Sequence, residues 1–376
     1  MYYLVVIPGH AGSESQACRA ESYRKTKGYV RTFRTAAVAL LALVALGQHP
    51  SAQSLTFSLF ERYLESLRLE SGIPGLSAAI VQNGRVAWDA GFGFQNVESA
   101  VRAEGDSPYP IADLSQTVAS TLLLQQCVDS GRLEVSDRVR RWVDRYPDES
   151  TTVGQLLRHT SPAGRFNYDP QRFADLTGVV EQCTSAGFGR YARVLADEIL
   201  DRLSMRDSVP GHDLGDPLSP SRSLHSAAAL DRYAGVLRRL AVPYKVDSNR
   251  RPVRSSYSAK TLSASTGIVS TARDLASFDA ALGLLVTAQT LKDAWSTSSS
   301  PTGLGWFVQK YNGETLVWHF GLAENAFSSL VLKVPSRGLT LVLLANSDGL
   351  SSPYPLASGD VTTSLFAKLF LRLFLV

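Results

Sequence analysis

Apolar residues Leu55, Leu59, Phe60, Tyr63, Leu64 and Leu67 recur every three or four positions and stop at Ser71-Gly72-Ile73-Pro74. That spacing predicts an amphipathic helix with its stop signal. Two runs, 76–82 and 85–90, then flank Asn83-Gly84. Asn-Gly between strand-like runs predicts a two-residue hairpin, because both central residues must adopt positive φ. Residues 92–97 read as a third strand, so the chain opens helix, strand, strand, strand.

Helical spacing takes over in segments 118–128, 138–143, 152–158, 173–182, 191–203 and 227–240, with a Pro, Gly and Ser-rich loop at 209–222. Strand character returns at 265–271, followed by a helix over 272–285 and strand-like runs at 305–311, 326–334 and 339–346. A closing helix is expected over 363–376, with Lys368 and Arg372 on one face. That closing segment is too short to span a bilayer. Strands near both ends with helices between them require the two ends to complete one sheet. The expectation is an α/β protein: an antiparallel sheet flanked by N- and C-terminal helices, with an inserted all-α domain. The expected divisions are 54–109 plus 256–376 for the sheet domain and 110–255 for the helical domain.

Composition changes this picture little. With 376 residues, 44% hydrophobic and 19% charged, the chain is an ordinary globular sequence. Its formal charge of +4 is concentrated near the start, where Arg19, Arg24, Lys25, Lys27, Arg31 and Arg34 face only Glu14 and Glu21. The remainder holds 32 basic and 32 acidic residues, which argues against a nucleic-acid surface built on bulk charge. Residues 31–53 carry a basic start, an apolar run from Ala36 to Gly47 and a small-residue exit, the layout of a secretory signal peptide. Residues 1–53 are therefore read as leader and signal peptide, with cleavage near 52–53 and a secreted or periplasmic product. Cys18, Cys127 and Cys183 show no metal-ligand spacing, and no metal or cofactor is expected. Cys127 and Cys183 fall in separate helical patterns; two buried free thiols are the expectation, with a disulfide between them as the alternative.

Several segments together resemble the class C β-lactamase and penicillin-binding-protein-like serine hydrolases. They are Ile73-Pro74-Gly75-Leu76-Ser77 with Gly91-Phe92-Gly93, Leu156-Leu157-Arg158-His159-Thr160-Ser161, Gly267-Ile268-Val269-Ser270-Thr271-Ala272-Arg273-Asp274-Leu275, and Gly305-Trp306 with Trp318-His319-Phe320-Gly321. The resemblance runs over about residues 57–376. It implies a β-lactamase/transpeptidase-like fold and a site made of three motifs.

The first motif, Ser-x-x-Lys at a helix start, falls on Asp113 and Gln116. The second, Tyr-x-Asn, falls on Tyr168-Asp169-Pro170. The third, Lys/His-Thr/Ser-Gly on a strand edge, falls on His319-Phe320-Gly321. Acyl transfer by this route needs a hydroxyl nucleophile, a base one helical turn away and backbone donors for the oxyanion. Asp113 offers no useful nucleophile and the Gln116 amide is no base. Slipped frames starting at Ser115 or Ser120 meet Val118 or Leu123 three residues on. Counting back from Gly131 would instead select Leu114 and Thr117, so one extra residue is placed near Gln125-Gln126. Asp113 itself has two readings, a helix N-cap or an occupant of the oxyanion hole. Asp169-Pro170 reads equally as plain helix-entry chemistry.

The expectation is a degenerate member, possessing a cleft lined by Asp113, Gln116, Tyr168, His319 and Gly321 that takes a small-molecule or cell-wall-derived ligand. Its alternatives are an active esterase, peptidase or β-lactamase with Ser115 or Tyr168 as unorthodox nucleophile, and a cell-envelope scaffold. Oligomeric state is not encoded in any of these features.

Overall fold

The computed structural model describes residues 52–184, 190–258, 260–297 and 300–375, with side chains from residue 55 onward. The leader expected over 1–53 lies outside these residues except for Ala52 and Gln53, the first two of a helix. Two compact units are delimited, residues 1–55 and Thr56–Val376; the fold below is that of the second.

Helix α1 (Ala52–Glu70) ends where the sequence places its stop. It leads into β1 (Gly75–Gln82) and β2 (Arg85–Asn96). Asn83 and Gly84 both take positive φ, 51° and 71°, as a tight hairpin turn demands. The separate strand expected at 92–97 does not exist, because β2 runs on for twelve residues. The third strand is instead β3 (Val101–Arg102). The second half of the sheet comes from β4 (Phe307–Tyr311), β5 (Glu314–Ala323), β6 (Phe327–Val334) and β7 (Leu339–Ala345). The sheet order is β3-β2-β1-β7-β6-β5-β4 with every pair antiparallel, so β1 and β7 join the two ends of the chain at its centre.

Two-residue alternation sorts this sheet's side chains onto two faces. Leu76, Ala78 and Ile80 of β1, with Leu341 and Leu343 of β7, pack with Phe60 and Leu64 of α1 and with Phe366 and Phe370 of the closing helix. Ala79, Val81, Val342 and Leu344 point the other way, into a core shared with the helical segments. All of β7 and all of β1 except Gln82 are buried, which is why they read as continuous apolar runs. On β5, Leu316, Trp318 and Phe320 join the α1 side while Val317 joins the helical side. Parity therefore puts His319 and Gly321 on the helical side as well.

Helix α2 (Ser115–Leu123) continues into a wider π turn over Leu124–Val128, the place expected for one extra residue. Cys127, in that turn, is disulfide-bonded to Cys183 at the end of α3 (Leu176–Cys183), with Cα atoms 5.9 Å apart. The expectation of two free thiols is thus wrong. Helical spacing shows that both cysteines are buried but carries no information about which helices pack together. Further helices include α4 (Ala227–Arg238), α5 (Ala272–Ala280) against β1, and the closing α6 (Leu365–Phe374). No described helix is long and apolar enough to cross a membrane.

Candidate functional site

The two-residue strand Tyr109–Pro110 pairs with Val269–Ser270, and the Ile111 N–H continues the pairing to the Ile268 carbonyl at 3.1 Å. The chain then turns sharply, with Ala112 at φ 50°, a left-handed conformation that costs an alanine roughly 1–2 kcal/mol. A short 3-10 turn, Ala112–Leu114, delivers Asp113 at the head of α2. Strand β5 passes directly behind it. A Cβ at Gly321 would lie 2.2 Å from the Ile111 carbonyl oxygen, so only glycine permits that approach.

Close approach brings the Leu322 backbone N–H onto the Asp113 carboxylate, which accepts its hydrogen bond. No side-chain capping bond forms at the head of α2 or of the preceding turn, so the plain N-cap reading does not hold. Desolvation raises the Asp113 pKa from the usual 3.8 to about 7, against the lowering effect of that one hydrogen bond.

Gln116, one helical turn further on, is fully buried. Its Nε2 donates to the Tyr168 hydroxyl at 3.3 Å, and its Oε1 lies 2.8 Å from His159 Nε2 and 3.3 Å from His319 Nε2. The Asp169 N–H donates to His159 Nδ1 at 3.1 Å, which leaves the proton of neutral His159 on Nε2, facing Gln116. His319 Nδ1 lies 2.8 Å from the Phe320 carbonyl and so carries the proton donated there. Its Nε2 then meets Gln116 Oε1 acceptor to acceptor. Burial drives both rings neutral, His159 to about 3 and His319 to about 4. Burial, followed by the charge on Asp113, holds the Tyr168 phenol well above its usual 10.

The structure thus connects Gln116, Tyr168 and His319 directly, and places Gly321 beside the turn that presents Asp113. Asp169 also caps the following helix by accepting from Arg172 N–H at 3.1 Å, with Pro170 first in that helix, as the helix-entry reading expects. Ser115 and Ser120 are fully buried. Their hydroxyls donate to the Ala112 and Leu304 carbonyls at 2.7 Å. Phe320 packs against Tyr168 and Phe307, with ring centres 5.3 and 5.9 Å apart.

Sequence reasoning missed His159, although its segment carried the resemblance. It also missed Leu322 and Tyr257. Outside the Gln116 network, a cleft of about 500 Å³ opens above Asp113, lined also by Pro170, Tyr257, Lys260, Leu322 and Glu324. No group of three or more metal-ligating side chains occurs among the described residues.

The sequence pattern of the Beta-lactamase family matches residues 58–358. The chain belongs to this family. Among curated relatives, protein flp of Staphylococcus aureus (strain MW2) is 25% identical over 327 residues, covering 73% of this chain. This chain spans only 60% of that relative's length. Penicillin-binding protein 4 of Amycolatopsis lactamdurans is 26% identical, over 83% of this chain and 88% of its own length. Among solved structures, the octameric penicillin-binding protein homologue from Pyrococcus abyssi superposes with a TM-score of 0.65 at 18% identity, over 84% of this chain and 77% of its own. D-amino acid amidase from Ochrobactrum anthropi SV3, complexed with L-phenylalanine amide, gives 0.64 at 17% identity, over 85% and 98%. At those identities the likeness establishes the fold, the β-lactamase/transpeptidase-like arrangement anticipated from the motifs.

Proposed function

We propose that this protein is a non-catalytic member of its family, secreted or periplasmic, that retains the cleft as a binding site for a small ligand. The reading rests above all on the Asp113 carboxylate accepting the Leu322 N–H. In acyl transfer, a backbone N–H aimed at the head of the nucleophile helix, as the Leu322 N–H of β5 is here, is the kind of donor that receives the developing oxyanion. Here a carboxylate of the protein itself takes it.

The Gln116 network supplies no general base either. Gln116 is neither base nor cation. His159 and His319, at about 3 and 4, are weak bases, and the Tyr168 phenol stays protonated. A nucleophile at Tyr168 would need a neighbour able to take its proton, and its hydrogen-bond partner is an amide.

The test is exposure of the secreted chain to a fluorescent penicillin and a fluorophosphonate, with turnover assays on nitrocefin and short p-nitrophenyl esters. No adduct by intact mass and no turnover above buffer are expected. A covalent adduct on any hydroxyl overturns the proposal.

A further inference from the structure

Asp113 is a carboxylate set into a cleft without an ion-pair partner. No Lys, Arg or His pairs with it among the described residues, and no cation is among the causes acting on its ionisation. A carboxylate can accept about four hydrogen bonds, and the Leu322 N–H is the donor the fold supplies. The remaining capacity faces the cleft of about 500 Å³, a volume suited to a small organic molecule.

The cleft walls suit a cation. Tyr257 lines it and is held by a near-parallel stack on His212 at 5.6 Å and an edge contact with Phe327 at 5.2 Å. The Asp113 charge acts on Tyr257, as it does on Tyr168. A fixed phenol ring beside a carboxylate offers both ion pairing and cation–π attraction. Glu324 adds negative charge at the exposed rim, and Lys260 adds the one positive charge lining the cleft. A bare divalent ion is not favoured, since too few ligating side chains converge.

We infer that the cleft binds a small ligand through a primary ammonium group paired with Asp113, its apolar body lying along Tyr257 and Pro170. The inference rests on the non-catalytic reading, which leaves Asp113 free to act as a fixed anion. It reverses the charge preference of a site that recognises carboxylates, because a carboxylate ligand would meet Asp113 head on.

Calorimetric titration with 2-phenylethylamine, N-acetyl-2-phenylethylamine and phenylacetate at pH 8.5 tests this. The amine is expected to bind the wild-type chain, with at least tenfold weaker binding by the neutral amide and the acid. Asp113→Asn is expected to lose at least tenfold in amine affinity. Tyr257→Leu, which keeps the carboxylate, is expected to lose several-fold. Equal binding of amine and N-acetyl amine, or full amine affinity in Asp113→Asn, overturns the inference. So does an absence of amine binding up to 10 mM, which is roughly 3 kcal/mol of affinity. Intact-mass analysis of the same samples after penicillin treatment separates the two proposals. An adduct sinks the non-catalytic reading whatever the amine does, whereas no adduct and no amine binding sinks this inference alone.

Discussion

Replacing Asp113 with Asn should stabilise the protein, and only at neutral to alkaline pH. Asparagine keeps an oxygen to accept the Leu322 N–H and removes the charge. Asp113 titrates near 7 in the folded chain against 3.8 when free. Between those values the unfolded chain has released its proton while the folded chain retains it, so stability falls as pH rises across that window and the loss is complete above about 7. At about 1.4 kcal/mol for each pH unit between the two values, the ceiling is about 4 kcal/mol. Asp113 is only half-buried, and water in the cleft screens the carboxylate, so roughly 1–2 kcal/mol is expected. For a unit of this size that is a rise in Tm of about 2–3 °C. Urea unfolding of wild type and Asp113→Asn at pH 4.5 and 8.5 reads the difference directly, since other titrating groups cancel. A gain at pH 8.5 that shrinks towards zero at pH 4.5 fits the geometry. An equal difference at both pH values, or a less stable variant at pH 8.5, refutes the account of a carboxylate buried without an ion-pair partner.

Other expected outcomes test the surroundings of the site. Gly321→Ala puts a methyl 2.2 Å from the Ile111 carbonyl and should cost roughly 2–4 kcal/mol in urea unfolding; a neutral substitution would mean β5 does not pass that closely behind the turn. His159 and His319 should show no proton NMR titration between pH 5 and 8, their pKa values being about 3 and about 4. Because the unfolded rings protonate near 6.5, each supports the fold above that pH and withdraws up to about 1.4 kcal/mol for every unit below it; a midpoint near 6.5 for either ring would contradict the buried network. Non-reducing peptide mapping should recover a Cys127–Cys183 crosslink. Removing it by double alanine substitution should cost about 4 kcal/mol for a separation of 56 residues, and unchanged stability under reductant would refute a clamp.

Local chemistry carried much of the fold into the sequence. Asn83-Gly84 fixed the first hairpin because few other residues tolerate its two positive φ angles. Strands β1, β6 and β7 were legible as apolar runs. Strand β5 was not, since Thr315 to Gly321 shows no alternation when both faces are covered and no break sets it off from a buried helix. Its position came instead from the motif around His319. Asp113, Gln116, Tyr168 and His319 were chosen by resemblance, and the structure links the last three through one amide. His159 escaped notice because a histidine closing a helix reads as a turn residue until its ring is seen 2.8 Å from Gln116. The cysteine pair was missed for the related reason that 56 residues of separation say nothing about distance in space.

The π turn at Leu124–Val128 changes how this chain should be compared with its relatives. A helix that gains a residue must either rotate everything beyond it by about 100° or swallow the newcomer in one widened loop of backbone. A π turn is the second of these, with Asp113 and Gln116 at the head of the helix before it and Gly131 beyond its far end. Any ruler laid from Gly131 backwards falls one position short and reports Leu114 and Thr117 as the chemical pair. The bulge sits downstream of the chemistry, and Cys127 pins it to the neighbouring helix. Length could thus be added to the scaffold without turning the site.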